Sequence, residues 1–365
     1  MAKAFRFALA LVAAMTLAGC ASTPAELSSR FESWPESERP LTAEGIASLE
    51  AFFEDTGTSS YLLLYQGKVA YSYGDIHESH LIHSMRKPLL SLLYGEAVAS
   101  GAINLDETVA SLALEEEGVA FTDQEKTATV TQLLQSRSGI YLPAAAETER
   151  MSATKPERDS HMPGTQYYYN NWSFNSVGTL FENKTGQGIY EAFNETLAKP
   201  LGMLDYQHRI GSISTADIEG DDLPIDDLDG FYYLEPEQSR HPAYHFRLSS
   251  HDLALIGQML ANGGTWQGQQ IIPSDWIEQS TDCYSVVNDN IGNGLSVCYG
   301  MMWEVTRSNG RPSSFSHTGL GSHLLFVNPR SEVVIVHRVD SENSDDVKSG
   351  RMPRLIGTTF GALRR

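Results

Sequence analysis

The sequence predicts an α+β fold in which an antiparallel sheet, built from both chain ends, is flanked by helices and carries an inserted, mostly helical lobe. Two observations predict this. Alternation of apolar and polar residues, typical of strands, occurs at residues 61–73 and again from Tyr299 onward. Between them, residues 103–260 show mainly helical patterns. The length of 365 residues would allow two domains, but one large fold with an inserted lobe fits equally well.

The first elements follow from local signals. Thr42 is a good helix N-cap, and the residues after it place Ile46, Leu49 and Phe53 on one helical face. Residues 61–73 read as a hairpin turned at Gln66-Gly67. A strongly apolar helix is predicted after Ser84, ending at Gly101.

Composition limits the classes of partner. With 41% apolar and 10% aromatic residues, the chain can bury a sizeable core. Its formal net charge is −20 at pH 7. Phosphate backbones and anionic lipid surfaces repel such a chain, so we expect no nucleic-acid partner for the folded part.

The N-terminus has the pattern of an export signal. A basic head with Lys3 and Arg6 precedes an apolar run at residues 7–17, which is shorter than the ~20 helical residues that span a bilayer. The sequence L-A-G-C at residues 17–20 resembles the bacterial lipoprotein lipobox. That resemblance implies a signal peptide at residues 1–19, acylation of Cys20, and an exported, membrane-anchored lipoprotein that faces the periplasm. The alternative is an ordinary secretory peptide that contains a cysteine.

Downstream of the signal, the Ser/Pro/Glu-rich residues 20–41 are expected to form a flexible tether, and residues 42–365 the folded domain. Cys283 and Cys298 are the remaining cysteines. Because an exported chain meets an oxidising compartment, we expect them to pair. Two reduced, buried thiols are the alternative.

Candidate chemistry begins with an S-x-x-K motif formed by Ser84 and Lys87. A serine and a lysine three residues apart on one helix face can approach each other, and burial would favour the uncharged amine. A second copy, Ser152 and Lys155, lies in a polar stretch before Pro156, which disfavours a continuing helix. The first copy is therefore the candidate nucleophile and base.

Two further motifs follow in the chain. The segment P-G-T-Q-Y-Y-Y-N-N at residues 163–171 contains two overlapping Y-x-N pairs, Tyr168 with Asn170 and Tyr169 with Asn171. The triplet His317-Thr318-Gly319 enters a predicted strand pair. A literal K-T-G at residues 184–186 lies between helical segments and is interpreted as a turn.

In this order, the three motifs resemble those of the serine β-lactamase and penicillin-binding-protein superfamily. The class C-like branch is the nearest match; it also contains D-alanyl carboxypeptidases, esterases and 6-aminohexanoate-dimer hydrolases. The family form P-G-T-x-[FY]-x-Y-x-N selects Tyr169 and Asn171. The segments L-L-Q-S-R-S-G at residues 133–139 and P-L-G-M at residues 200–203 also match, and the resemblance covers roughly residues 45–360.

The resemblance implies a β-lactamase/transpeptidase-like fold and a cofactor-free mechanism. Ser84 would attack an acyl carbonyl, and Lys87 with Tyr169 would remove and relay its proton. Which of these two is the base stays open at this point. His317, Thr318 and Gly319 would bind the substrate, a small-molecule or peptide acyl compound, and Asn171 would form a hydrogen bond with the substrate's amide or with the lysine. The backbone N–H groups of Ser84 and Leu320 would form the oxyanion hole.

One position departs from many relatives, because His317 stands where they have lysine. A fixed ammonium attracts the carboxylate of a β-lactam, whereas histidine is mostly neutral at pH 7. This favours an esterase or amidase over an efficient β-lactamase, unless Arg247 or another cation supplies the charge. A non-catalytic envelope module that binds peptidoglycan fragments or a protein is the alternative function.

The histidine triplet His77, His80 and His83 precedes the nucleophile, but no carboxylate or cysteine is spaced nearby as in known zinc motifs. We therefore assign no metal from the sequence. A metal-assisted hydrolase that uses this triplet is the least favoured hypothesis.

Overall fold

The frame of the protein is a large antiparallel sheet to which both chain ends contribute. The structure is a computed structural model that describes residues 30–217, 224–342 and 350–364. Its strands are β1 (Thr58–Tyr65), β2 (Lys68–Gly74), β3 (His80–Leu81), β4 (Ile210–Ser214), β5 (Gly230–Leu234), β6 (Ala243–Leu248), β7 (Thr265–Trp266), β8 (Gln269–Gln270), β9 (Ser285–Asn288), β10 (Leu295–Tyr299), β11 (Glu304–Ser308), β12 (Arg311–Gly319), β13 (His323–Asn328) and β14 (Val333–Val339).

Eight of these strands form the main sheet in the order β2-β1-β14-β13-β12-β11-β10-β9. Its pairings are antiparallel, and β1 aligns Leu63 with Ile335 of β14. The predicted α+β class is confirmed, because the N-terminal hairpin adds directly to the C-terminal strands.

Helices cover both faces of this sheet. They are α1 (Ala43–Thr56), α2 (Arg86–Ala99), α3 (Val130–Leu134), α4 (Glu149–Thr154), α5 (Asn171–Thr185), α6 (Ile189–Phe193), α7 (Lys199–Leu201), α8 (Ser250–Ala261), α9 (Ser274–Ser280) and α10 (Met352–Ala362). Within the described ranges, none of the helices combines the length and apolarity needed to cross a bilayer.

The alternation of β1 explains the layers. Tyr61 and Leu63 point to the core shared with α1 and α10, whereas Leu62 and Leu64 point to the larger core that contains α2 and α8. Each fully buried aliphatic side chain contributes about 1.5–3 kcal/mol. A shift of one residue in the register would exchange the two sets, so burial on both faces fixes the pairing.

The lobe at residues 103–260 is less helical than the sequence analysis predicted. Strands β4, β5 and β6 lie inside it and join β3 in a smaller sheet of order β3-β6-β5-β4, in which β4 and β5 are parallel. These strands are five or six residues long. Such short runs show too few alternations to stand out against neighbouring helical patterns, which explains the error.

The prediction that residues 20–41 form a flexible tether is wrong for the second half of that segment. Phe31 is only 8% exposed, and its ring packs edge-on against Trp266. Trp34 donates through Nε1 to the carbonyl oxygen of Tyr65 at 3.1 Å, and Leu41 is buried. A few apolar residues in a polar stretch are thus enough to hold it on the domain. The predicted signal peptide and Cys20 lie outside the described residues.

Cys283 and Cys298 are joined in a disulfide with their Cα atoms 5.3 Å apart. Cys298 is buried on β10, and its bridge attaches the segment that leads into β9. Closing a loop with a sequence separation of 15 is worth about 3 kcal/mol in the chain-entropy account. The bridge therefore secures the edge of the main sheet.

Candidate active site

The candidate nucleophile lies where a tight turn enters a core helix. Ser84 belongs to the 3-10 turn His83–Met85, and Lys87 follows in the first turn of α2. The Nζ atom of Lys87 is 3.0 Å from the Oγ atom of Ser84. The spacing of three residues therefore brings the two groups within hydrogen-bond distance, as one helix face requires.

The helix α2 is apolar on most of its circumference, and this decides the environment of Lys87. Leu89, Leu90 and Leu92 are fully buried, and Lys87 itself is 1% exposed. Burial, with the positive charge of Arg86 as the next cause, lowers the pKa of Lys87 well below its ordinary value. An uncharged amine beside the hydroxyl can accept its proton.

Tyr169 completes this group. The Nζ atom of Lys87 lies 4.6 Å from the centre of the Tyr169 ring, and the Tyr169 hydroxyl forms a hydrogen bond with Ser84. Burial raises the pKa of Tyr169 above its ordinary value, against the opposing effect of that hydrogen bond. The lowered pKa favours the neutral form of Lys87, and the raised pKa favours the protonated form of Tyr169. Lys87 is therefore the better proton acceptor of the two.

The segment 133–139 holds Tyr169 in place. Ser136 has a left-handed backbone (φ 56°). Its hydroxyl donates to the carbonyl oxygen of Tyr168 at 2.5 Å and accepts from the backbone N–H of Asn170 at 3.0 Å. At Gly139 an added Cβ would lie 2.5 Å from the carbonyl oxygen of His161, so that position has no room for a side chain.

The other overlapping Y-x-N pair is structural. The Tyr168 hydroxyl donates to the carbonyl oxygen of Met151 at 2.6 Å. The Asn170 side chain caps α5 by accepting from the backbone N–H of Trp172, and it donates to the carbonyl oxygen of Ile140. Tyr168 and Asn170 thus bond to neighbouring backbone, whereas the Tyr169 ring lies beside Lys87.

Strand β12 brings the third motif to the same place. The ring centres of His317 and Tyr169 are 6.3 Å apart. A Cβ on Gly319 would lie 2.6 Å from the carbonyl oxygen of Ile82, so glycine is what lets β12 approach the turn that carries Ser84. Leu320 follows directly and is 61% exposed. The backbone N–H of Leu320 therefore lies one residue after the point where β12 contacts the turn that carries Ser84.

His317 is buried and uncharged. Its Nδ1 atom is 2.8 Å from the carbonyl oxygen of Thr318, and burial together with the Lys87 charge lowers the pKa of His317 to about 3. The Nε2 atom is buried and has no hydrogen-bond partner among the residues described. His317 therefore carries no positive charge at the position where many relatives have a lysine ammonium.

Arg247 does not supply the missing charge. Its guanidinium forms two hydrogen bonds with the carboxylate of Glu342, both 2.9 Å long. Further donations go to backbone carbonyls, including those of Asp226 and Ser79. The suggestion that Arg247 attracts a substrate carboxylate is therefore wrong.

Asn171 is the first residue of α5 and is buried. Its Nδ2 atom donates to the carbonyl oxygen of Ala146 at 2.6 Å. Its Oδ1 atom is buried without a hydrogen-bond partner in the described part of the chain. Such an unsatisfied buried acceptor is uncommon in a folded protein.

Sequence reasoning missed Glu304, the first residue of β11. Its carboxylate accepts a hydrogen bond from the Oγ1 atom of Thr318 at 3.0 Å. Burial raises the pKa of Glu304 to about 7, while the bonds from Thr318 and the charge of Lys87 act in the opposite direction. Conversely, Glu304 raises the pKa of Lys87. The signal available in the sequence was a single acidic residue after the apolar run at residues 301–303.

Sequence reasoning also missed a chain of hydrogen bonds that ends at His83, the residue before the nucleophile. His83 has a left-handed backbone (φ 47°), and its Nε2 atom is 2.9 Å from the hydroxyl of Ser341. The same hydroxyl is 2.9 Å from Nε2 of His323, whose Nδ1 atom accepts from Nε of Arg338. Because arginine only donates, the protons in this chain point from Arg338 towards His83. The chain fixes the residue directly before Ser84.

The second S-x-x-K copy and the literal K-T-G lie elsewhere in the fold. Ser152 is exposed in α4, and Lys155 forms an ion pair with Glu147 at 2.6 Å. The literal K-T-G spans the end of α5, where Gly186 forms a left-handed C-cap. Neither copy takes part in the group around Ser84.

Comparison with known families agrees with this geometry. The Beta-lactamase family model matches residues 64–354. The chain belongs to the Beta-lactamase family. The resemblance to the serine β-lactamase and penicillin-binding-protein superfamily is confirmed, and membership places this Beta-lactamase family protein among the serine hydrolases of that fold.

Solved structures similar to this family member share its fold at low identity. A Bacillus anthracis protein classed as a 6-aminohexanoate-dimer hydrolase has a TM-score of 0.62 at 18% identity, over 92% of this chain and 87% of that one. A family VIII carboxylesterase has a TM-score of 0.59 at 18% identity, over 88% and 97%. A penicillin-binding protein homologue from Caulobacter crescentus has a TM-score of 0.59 at 18% identity, over 88% and 99%.

Among curated proteins, protein flp of Staphylococcus aureus (strain NCTC 8325 / PS 47) is 25% identical over 167 residues. The match covers 40% of this chain and 33% of flp. The chain thus corresponds to about a third of the length of that relative.

Proposed function

We propose that the protein is a serine hydrolase that acts through a Ser84 acyl-enzyme on esters or linear amides rather than as an efficient β-lactamase. The observation that carries this proposal is the 3.0 Å approach of the buried Lys87 amine to the Ser84 hydroxyl. Family membership supports the same class of chemistry.

In the acylation step, the neutral Lys87 amine takes the Ser84 proton while Oγ forms a bond to the substrate carbonyl carbon. The oxygen that becomes negative is bound by the backbone N–H groups of Ser84 and Leu320. Tyr169, which is protonated at the start, gives its proton to the leaving oxygen or nitrogen as the acyl bond breaks and receives the proton held by Lys87. Water then attacks the acyl carbon while Lys87 takes one of its protons, the bond between that carbon and Oγ breaks, Oγ regains the proton, and the carboxylic acid leaves.

The charges around the nucleophile support an uncharged acyl group. His317 is neutral, Glu304 contributes a carboxyl group beside Thr318, and Arg247 is bound by Glu342. The side chain of Arg86 is buried and lies over the ring of Tyr244 at 4.7 Å. A substrate carboxylate therefore has little to attract it, which disfavours penicillins and D-alanyl termini.

Intact-mass spectrometry with a fluorophosphonate tests the nucleophile. We expect one covalent adduct on the wild type and on Ser152→Ala, and none on Ser84→Ala. The same protein should hydrolyse p-nitrophenyl acetate or butyrate faster than a chromogenic cephalosporin or a D-Ala-D-Ala peptide. An adduct that persists in Ser84→Ala, or ligand binding without any turnover or adduct, would favour the non-catalytic alternative.

We also propose that the mature chain is an exported lipoprotein anchored through Cys20, since the L-A-G-C sequence supplies the residues for acylation. Fractionation of bacterial cells should place the wild type in the membrane and Cys20→Ser in the soluble envelope fraction. Equal distribution of the two proteins would contradict the anchor without affecting the hydrolase proposal.

A further inference from the structure

The residue directly before Lys87 is an arginine that is buried in the core. Arg86 opens α2, and its relative exposure is only 2%. Charged side chains are almost never fully buried unless they are paired with an opposite charge. The contacts of Arg86 therefore decide whether its charge is compensated.

The contacts of Arg86 are weak for a buried cation. Its Nη1 and Nη2 atoms are each 3.4 Å from Oδ1 of Asn175, which is longer than the usual ~2.7–3.2 Å. The guanidinium carbon lies 4.7 Å from the centre of the Tyr244 ring, whose face attracts a cation. Within residues 30–217, 224–342 and 350–364, no carboxylate is close enough to form an ion pair with it.

Two other buried arginines have stronger partners. Arg247 forms two hydrogen bonds of 2.9 Å with the carboxylate of Glu342. Arg338 donates to backbone carbonyl oxygens at 2.5, 2.7 and 3.1 Å, and to His323 at 2.9 Å. The positive charge of Arg86 is thus the least compensated of the three.

This charge lies next to the candidate base. The Nζ atom of Lys87 is 5.0 Å from the ring centre of Phe174, and the Arg86 guanidinium contacts the following residue of α5, Asn175. Two adjacent positive charges in such an apolar environment repel each other because little water screens them. Arginine does not lose its proton in a protein, whereas a buried lysine does so readily. Lys87 is therefore the residue that becomes neutral.

The groups around the pair are affected in the same direction. After burial, which is the larger cause, the charge of Arg86 lowers the pKa of Lys87. The carboxylate that acts in the opposite direction on Lys87 is Glu304. The titratable groups that interact with the pair are His83 in the turn before α2, Tyr169 before α5, Tyr190 in α6, Tyr244 and His245 in β6, Glu304 in β11, and His317 in β12.

We propose that Arg86 is a positioning residue whose permanent buried charge keeps the Lys87 amine unprotonated and ready to accept the Ser84 proton at neutral pH. The inference rests on the proposed hydrolase function. Because its side chain is buried, Arg86 acts on the reaction through Lys87 and not by contact with the substrate. The S-x-x-K pattern conceals this role, since it leaves the residue before the lysine unspecified.

The pH dependence of p-nitrophenyl ester hydrolysis by the full-length protein tests the inference. Arg86→Met and Arg86→Gln both remove the charge, and the glutamine also keeps a donor for Asn175. In both variants the acid limb of kcat/KM should move to higher pH by about one pH unit or more, the usual effect of a nearby unit charge. Below both limbs, this shift lowers the rate by about tenfold or more.

Recovery at alkaline pH separates this role from a structural one. There Lys87 is neutral with or without Arg86, so the rates of both variants should return to that of the wild type. Ser84→Ala, measured alongside, gives the spontaneous hydrolysis to be subtracted. A variant that is only misassembled would instead lose the same fraction of its rate at every pH.

Arg240→Gln is the matched control, because it removes one positive charge from a surface arginine that pairs with Glu115. Its acid limb should coincide with that of the wild type. Either Arg86 variant that folds, as judged by circular dichroism, is sufficient for the test. An unmoved acid limb, or an equal loss at all pH values, would overturn the inference while the hydrolase proposal stands. A wild type without ester hydrolysis or a Ser84 adduct would refute the proposed function itself, and the inference with it.

Discussion

The segments Ser84–Lys87 and Ser152–Lys155 share a motif but differ in environment. Lys87 is buried in an apolar helix, 3.0 Å from its serine, with the ring centre of Phe174 at 5.0 Å. Lys155 ends a short surface helix, where its ammonium pairs with Glu147 and donates to the carbonyl oxygen of Leu142. A lysine thus becomes a base when apolar packing removes its water and no bonded carboxylate stabilises its charge.

The largest expected effect tests this comparison directly. Replacing Lys87 with alanine should lower kcat/KM for a p-nitrophenyl ester by about 10²–10⁴-fold, the usual contribution of a general base. Steady-state kinetics measure it, and Lys155→Ala should retain the wild-type rate. If both variants kept full activity, the buried lysine would not be the base.

A smaller loss is expected at Tyr169. Tyr169→Phe removes the hydroxyl that bonds Ser84 and should lower kcat by about 10²-fold, the lower end of the range for proton transfer. Tyr168→Phe is the paired control, because that hydroxyl bonds the carbonyl oxygen of Met151 instead. Equal losses in the two variants would remove the distinction between the overlapping Y-x-N pairs.

The smallest change is a shift in pH dependence. Above the Glu304 pKa of about 7, the negative charge of this carboxylate raises the pKa of Lys87, so Glu304→Gln should lower that pKa and keep the amine neutral at lower pH. The acid limb of the kcat/KM profile should therefore move to lower pH. Besides Lys87, the groups that interact with Glu304 are Thr318 and the phenols of Tyr167, Tyr169 and Tyr299, and the substitution changes none of these residues.

Glu147→Gln is the control for this profile, since it changes the carboxylate beside Lys155 rather than Lys87. Its acid limb should match that of the wild type. A movement to higher pH in Glu304→Gln would show that the carboxylate acts mainly by holding Thr318 rather than through its charge.

Much of the site could be predicted because its motifs are local. The spacing of Ser84 and Lys87 needs only a helix, and Gly319 was named through the H-T-G motif of the family that the sequence resembles. Glu304 could not be assigned in the same way, because its role depends on a cross-strand contact with Thr318. The short strands β4 to β6 were missed because their alternation of apolar and polar residues is brief. The predicted tether was too long because Phe31 and Leu41 are buried against residues that are distant in the chain.

By itself, the sequence determined the α+β class and the order of the three motifs, since these rest on local periodicity, spacing and residue type. It indicated Cys283 and Cys298 as candidates for a bridge, and the structure shows that they pair. The tertiary structure decided which S-x-x-K is buried, which tyrosine faces the serine, how Arg338 supports the turn before Ser84, and how Arg86 lies buried beside Lys87. Burial and electrostatic coupling depend on residues that are far apart in the chain and become neighbours only on folding.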